Sequence, residues 1–245
     1  LWSHCSYGGW FTDDPLDEAA LPRIPFHCTN LYQYHLLKGR VPYLAAGVDT
    51  DMFRPPTAEE REGPGLASRD HRLVVGWTGS SQYNAALKLF LDRLVPAVRL
   101  AGSDGPLAKA NIAFRPLAVW DCRDAHSPER VADYLRGIDV YVCTSVSEGC
   151  SMSVLEAAAA GCVVISTPVG NAPELVMDPR LLVSWTPSDI ARAIHLLDDD
   201  RALLRSLSER TRATVERHWA WSSQGKQAAW QAWLTGEGDV PEQVA

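Results

Sequence analysis

Along this chain, apolar residues gather in short unbroken runs separated by longer stretches of mixed character. Leu73–Trp77 (LVVGW), Asp139–Thr144 (DVYVCT) and Val163–Thr167 (VVIST) show no regular polar alternation, which reads as strands buried on both faces of a parallel sheet. Asn111–Pro116 and the short Leu181–Val183 read as further strands. The stretches between carry helix signals. A helix is predicted near Ala85–Arg99, another begins at Ser127 with Pro128 in its first turn, and Met152–Ala160 is a strong helix former stopped by Gly161. Thr186 predicts an N-cap, with Pro187 at the first helical position and Asp189 as capping-box acid. Strands and helices alternating at these lengths predict an α/β fold, a Rossmann-like parallel sheet with helices on both faces. Before Ala46 the pattern is thinner: a strand over Pro25–Asn30, a short helix over Leu31–Lys38 and a strand over Val41–Ala45. Pro55–Asp70 is charged and rich in Pro and Gly, as an exposed linker would be.

At 245 residues the chain can hold one large core, or one domain and part of another. A formal net charge of -7 without a Lys/Arg cluster excludes a nucleic-acid partner. No apolar run approaches the roughly 20 residues of a membrane span. With no transmembrane segment, and with an opening LWSHCSYGGW unlike a signal peptide, a cytoplasmic location is expected. Cys5, Cys28, Cys122, Cys143, Cys150 and Cys162 lack C-x-x-C spacing and read as reduced packing cysteines. The histidines show no H-x-x-x-H spacing, so neither a metal nor another cofactor is expected.

Candidate chemistry concentrates in Ser147–Val176. Here Glu148 and Glu156 stand at the two ends of one strand-to-helix turn. In a βαβ unit ligands sit where strands end and helices begin. The amides near Ser151, Met152 and Ser153 would then face an anion such as a diphosphate. Glu156 would reach ribose hydroxyls, and Glu148 the hydroxyls of what lies beyond the phosphates. Carboxylates also favour helix starts through the dipole, a structural alternative for Glu156. Glu174 reads as a helix-start acid of that kind.

The pattern E-G-x-x-x-S-x-x-E-A followed by G-x-x-V-I-S-T-x-x-G-x-x-P-E resembles the retaining glycosyltransferases of family 4, which have the GT-B fold. Gly47–Pro55 (GVDTDMFRP) is similar to their interdomain linker, and Trp219–Leu234 (WAWSSQGKQAAWQAWL) to the C-terminal helix that crosses back to the N-terminal domain. The resemblance implies four segments: 1–45 as a short or truncated remnant of an acceptor-side domain, 46–72 as linker, 73–218 as donor-binding domain and 219–245 as crossover helix and tail. It also implies a nucleotide-diphosphate sugar donor and a sugar, lipid or small-molecule acceptor. Glu148 is the catalytic candidate. Glu156, Gly149, Cys150, Ser151, Met152, Ser153, Gly79, Ser80 and Lys88 are the substrate-binding candidates, and backbone near Arg115–Leu117 is expected to meet the base. Gly8 and Gly9 are similar to a glycine-rich acceptor loop, or form an ordinary turn.

Family members hold the leaving diphosphate with an Arg and a Lys after the first donor-domain strand. This chain has Ser80 and Asn84 there, and only a shift brings in Lys88. Asn171 stands where many relatives have a second glycine. A catalytically silent nucleotide-sugar-binding or interaction module is therefore the alternative to an enzyme, with a GT-B-like sugar-nucleotide epimerase further behind. The tryptophans near the C-terminus read as a packing stripe against the donor domain rather than a carbohydrate platform.

Overall fold

The first strand, β1 (Leu73–Ser80), pairs in parallel on both sides, with β2 (Ile112–Val119) and with β3 (Val140–Cys143). β4 (Val163–Ser166) adds beyond β3, giving the order β2-β1-β3-β4. Leu73, Val75, Val140, Val142 and Ile165 are fully buried, as unalternating runs require. Burial of each such side chain contributes about 1.5–3 kcal/mol relative to exposure. β2 carries Pro116 inside a strand, tolerable because it lies at the edge of the order. The computed structural model describes residues 27–36, 42–62, 72–80, 88–102, 112–119, 126–223 and 225–236. Gly8, Gly9 and Asn84 lie outside them.

Connections between parallel strands are right-handed. From β1 to β2 the chain steps one way across the sheet, and from β2 to β3 to β4 it steps the other. The intervening helices therefore cover opposite faces. A π-helical turn, Phe90–Leu94, leads into α3 (Val95–Gly102), which packs on α7 (Pro187–Asp199). On the other face α5 (Met152–Ala159) packs against α4 (Pro128–Arg136) and α8 (Arg201–His218). Two shorter helices, α1 (Leu31–Leu36) and α2 (Ala58–Glu62), precede the sheet, and α6 (Ala172–Leu175) follows β4.

Several local signals act as predicted. The Ser127 hydroxyl accepts the Arg130 amide at 3.3 Å, and Thr186 accepts Asp189 at 3.3 Å. The Asp189 carboxylate takes the Thr186 hydroxyl at 2.7 Å and the Ser184 hydroxyl, so it orders the cap through hydroxyls rather than through an amide. Leu181–Val183 forms a 3-10 turn and a bridge from Leu182 to Ser166 instead of a full strand.

The C-terminal segment departs from the single predicted helix over Trp219–Leu234. Trp219 and Ala220 leave α8 and pair with the backbone at Val48: the Val48 amide donates to the Trp219 carbonyl at 2.8 Å, and the Trp221 amide to the Val48 carbonyl at 3.1 Å. Helix α9 (Lys226–Thr235) starts only after Gly225, whose φ of 84° no helix accommodates. The tryptophan stripe packs, but on the N-terminal segment: Trp230 donates to the Ala45 carbonyl at 3.1 Å and meets His27 edge-on.

Gly47, beside Val48, lies against the C-terminal turn. A Cβ there would lie 2.2 Å from the Trp221 ring. Gly47→Ala should therefore destabilise the chain by about 1–3 kcal/mol, as overpacking does, lowering the midpoint of thermal denaturation. An unchanged midpoint would mean that the Trp221 ring moves aside without cost.

Candidate functional site

The chain reverses its stepping direction between β1 and β3, so their carboxyl ends diverge and leave a crevice, the place where open α/β sheets bind ligands. Gly79 and Ser80 end β1 on one side. On the other side the loop from Thr144 to Ser151 leaves β3 and enters α5. Thus the sheet itself brings the predicted β1 turn to the predicted glutamate loop.

Glu148 is held on that loop by two donors. The Ser145 hydroxyl donates to its Oε1 at 2.7 Å, and the Lys88 ammonium forms an ion pair with the same oxygen. The Lys88 carbonyl in turn accepts the Thr144 hydroxyl at 2.6 Å, which fixes the lysine's backbone against the β3 end. Lys88 is thus neither a solvated helix residue nor placed on its own: it is the counter-ion of Glu148. Behind the loop Gly170 has a φ of +55°, and a Cβ there would fall 2.9 Å from the Glu148 Cβ and 3.1 Å from the Gly149 carbonyl. Its missing side chain makes room for the glutamate loop.

Glu156 behaves in the opposite way. It is the fifth residue of α5, beyond the first turn, so the helix dipole does not account for it. Its half-buried carboxylate has no hydrogen-bond or ion-pair partner among the described residues, and burial pushes its pKa up to about 7. A carboxylate desolvated without compensation is a candidate functional residue, because buried charges are otherwise paired.

The N-terminus of α5 is arranged differently from expectation. Ser151 is its N-cap residue, but its hydroxyl turns to that of Ser153 at 3.2 Å and caps no amide. The Ser151 amide donates to the Asn171 side chain at 2.9 Å, so it does not face the crevice unpaired. This removes Ser151 from the amides offered to an anion and leaves those of Met152 and Ser153. Asn171, fully buried, does this from the position where a second glycine was expected; no sequence signal distinguishes that role.

Gly149 and Cys150 contribute to anchoring. The Asn30 side chain donates to the Gly149 carbonyl at 2.6 Å. Burial pushes the Cys150 thiol up to about 12, reinforced by Glu174 and Glu148, so it is inert as a nucleophile. Glu174 does start a helix, but its carboxylate also accepts the Leu31 amide at 3.0 Å and the Tyr43 hydroxyl at 2.8 Å. Sequence reasoning missed this clamp on the N-terminal segment, because its partners are more than a hundred residues away. Arg115–Leu117 lie inside β2 in register with Gly76–Thr78, and the strand runs on to Val119. The expected base-contacting segment is therefore within the ladder rather than at its ligand-facing end. Among the described residues no group of His, Cys, Asp and Glu could hold a metal ion, Cys28, Cys143, Cys150 and Cys162 form no disulfide, and no helix is long and apolar enough to cross a membrane.

The fold, with its switch-point crevice, is that of a GT-B-type Rossmann-like domain. Residues 72–200 match the family described as glycosyl transferases group 1, more than half of the chain, and the protein belongs to that family. It is 30% identical over 208 residues to alpha-maltose-1-phosphate synthase of Mycolicibacterium smegmatis, a match spanning 74% of this chain and 54% of that enzyme. The chain thus spans about half the length of the curated relatives it matches, or less. Among solved structures, sucrose-phosphate synthase from Thermosynechococcus elongatus superposes with a TM-score of 0.63 at 20% identity, over 85% of this chain and 58% of that one. Anabaena HepE in complex with UDP-glucose gives 0.59 at 12% identity, over 86% and 62%. At these identities the likeness is one of fold.

The raised pKa of Glu156 carries a pH signature. Its folded value lies above the ordinary carboxylate value of 4.5, so its favourable contribution is complete below about 4.5 and is lost as pH rises through about 7. The thermal midpoint of Glu156→Gln, relative to wild type, should therefore rise between pH 5 and pH 8. A difference independent of pH would mean that the carboxylate is solvated.

Proposed function

We propose that this chain is the donor-binding half of a retaining, family 4-like glycosyltransferase that takes a nucleotide-diphosphate sugar and passes the sugar to a sugar, lipid or small-molecule acceptor. The observation that carries the reading is the pairing of two unlike carboxylates on one strand-loop-helix unit. Glu156 is desolvated and unpartnered, suited to accept hydroxyl protons from a ribose. Glu148 is oriented by Ser145 and Lys88, suited to hold the donor sugar. The Met152 and Ser153 amides and the Gly79–Ser80 end of β1 flank the space for a diphosphate, with the α5 dipole favouring the anion. Relatives named as synthases and glycosyltransferases, and a fold neighbour bound to UDP-glucose, support the same reading. A cytoplasmic location belongs to the same proposal.

Transfer with retention requires the leaving diphosphate to be stabilised, the largest electrostatic demand of such a reaction. In this chain the demand falls on the α5 amides and on Lys88, which can move from Glu148 toward the phosphates. In the alternative reading, a silent binding module, Lys88 stays with Glu148, and the phosphates are left to backbone amides.

A thermal-shift series with UDP, GDP, ADP and their sugars tests the reading directly. A ligand at a hundredfold excess over its Kd adds about 2.7 kcal/mol of stability; no shift with any of them would overturn the reading. The two glutamates should also separate by calorimetry. Glu156→Ala is expected to weaken binding of the free nucleoside diphosphate by about 1.5–3 kcal/mol, and Glu148→Ala mainly that of the intact sugar nucleotide. Equal losses for the nucleoside diphosphate would refute the division of ribose and sugar between them. Lys88→Ala should lower nucleoside diphosphate affinity by about 1–2 kcal/mol and flatten its dependence on salt. An unchanged affinity would favour the silent module.

A further inference from the structure

Ser145, at the carboxyl end of β3, is 1% exposed and has its hydroxyl and carbonyl fully committed. Its carbonyl accepts two bonds, from the Thr167 hydroxyl at 2.6 Å and from the Trp185 indole at 3.2 Å. Its hydroxyl accepts the Cys143 thiol at 3.6 Å and donates its one proton to Glu148 Oε1 at 2.7 Å. Three elements, β3, the end of β4 and the segment before α7, therefore converge to fix one serine, and that serine aims at the carboxylate of the loop. Lys88 binds the same oxygen, so Oε2 is left without a partner among the described residues.

We propose that Ser145 is the positioning residue of Glu148: it holds the carboxylate with Oε2 turned toward the donor sugar, and it does so whether or not Lys88 is engaged. The physical need is specific. If the lysine moves to a diphosphate, the ion pair is lost, and a half-buried loop glutamate with no second donor would sample several rotamers at an entropic cost on binding. The serine bond, anchored from behind by Thr167 and Trp185, removes that freedom before the ligand arrives. A buried serine with a purely structural purpose could satisfy its proton on backbone, without reaching a side chain of the loop. This inference rests on the reading of Glu148 as a sugar-binding residue.

The experiment is a double-mutant cycle on the full chain. Calorimetry first selects, from UDP-glucose, GDP-mannose and ADP-glucose, the sugar nucleotide that binds more tightly than its own nucleoside diphosphate. Wild type, Ser145→Ala, Glu148→Ala and the double variant are then titrated with both. Ser145→Ala should weaken the sugar nucleotide about tenfold and the nucleoside diphosphate less than about twofold, and should cost nothing further in the Glu148→Ala background. Retained nucleoside diphosphate binding shows that the variant is folded. Ser145→Cys, which keeps the side-chain bulk with a weaker donor, should lie between wild type and alanine. A tenfold loss that persists without Glu148, or equal losses for both ligands, would make Ser145 merely structural. If Glu148→Ala weakens the sugar nucleotide and Ser145→Ala does not, the inference alone falls. If Glu148→Ala leaves that affinity unchanged, or none of the three sugar nucleotides outbinds its nucleoside diphosphate, the assignment of Glu148 falls first and takes the inference with it.

Discussion

The right-handed crossover is the constraint on which the rest of this structure depends. With the order β2-β1-β3-β4 the chain steps one way from β1 to β2 and the other way from β2 to β3, so right-handed connections put the intervening helices on opposite faces and the direction reverses at the boundary between β1 and β3. That reversal parts the two strand ends and creates a crevice without any side chain being spent on it. It also decides which residues meet: Lys88, after β1, and Glu148, after β3, are 60 residues apart and form an ion pair only because their strands are neighbours.

Along this strand-loop-helix unit, two carboxylates receive opposite treatment. Glu148 has two donors on one oxygen and rests against Gly170, so its charge and rotamer are both supported. Glu156 is desolvated with no compensation, and its proton affinity rises as a result. A protein selected only for stability would have replaced an unpartnered, half-buried glutamate, since a buried charge without a partner costs free energy that glutamine or alanine would not. The N-terminal segment holds this region from outside: Asn30 binds the Gly149 carbonyl on the loop, and Tyr43 and the Leu31 amide bind Glu174 on α6. The Asn30 bond thus ties this segment to the glutamate loop, and the other two tie it to the helix after β4.

Features set by local chemistry were legible from the amino-acid order. The unalternating runs gave β1, β3 and β4 to within a few residues, Gly161 ends α5 as its position suggested, and Ser127 and Thr186 cap their helices. The two glutamates stood out because their separation spans one strand-to-helix turn. What was not legible depends on contacts distant in sequence. The C-terminal helix is interrupted because Val48 offers a backbone partner to Trp219 and Trp221, which outweighs helix propensity over those residues. Asn171 takes the Ser151 amide, and Ser145 reaches Glu148, through tertiary placement that no motif records. Arg115–Leu117 was expected at a strand end and lies in mid-strand, because β2 extends three residues beyond the predicted Pro116.

The central claim is that the ligand lies at the β1/β3 switch point, between the β1 end and the α5 N-terminus. Amide hydrogen exchange of the full chain, with and without a saturating sugar nucleotide, measures this most directly. The account predicts that protection increases at Thr78–Ser80 and from Val146 to Val154, with little change at α7 or α8. Protection confined to those outer helices, or none at either crevice wall in a sample shown by calorimetry to be saturated, would contradict it.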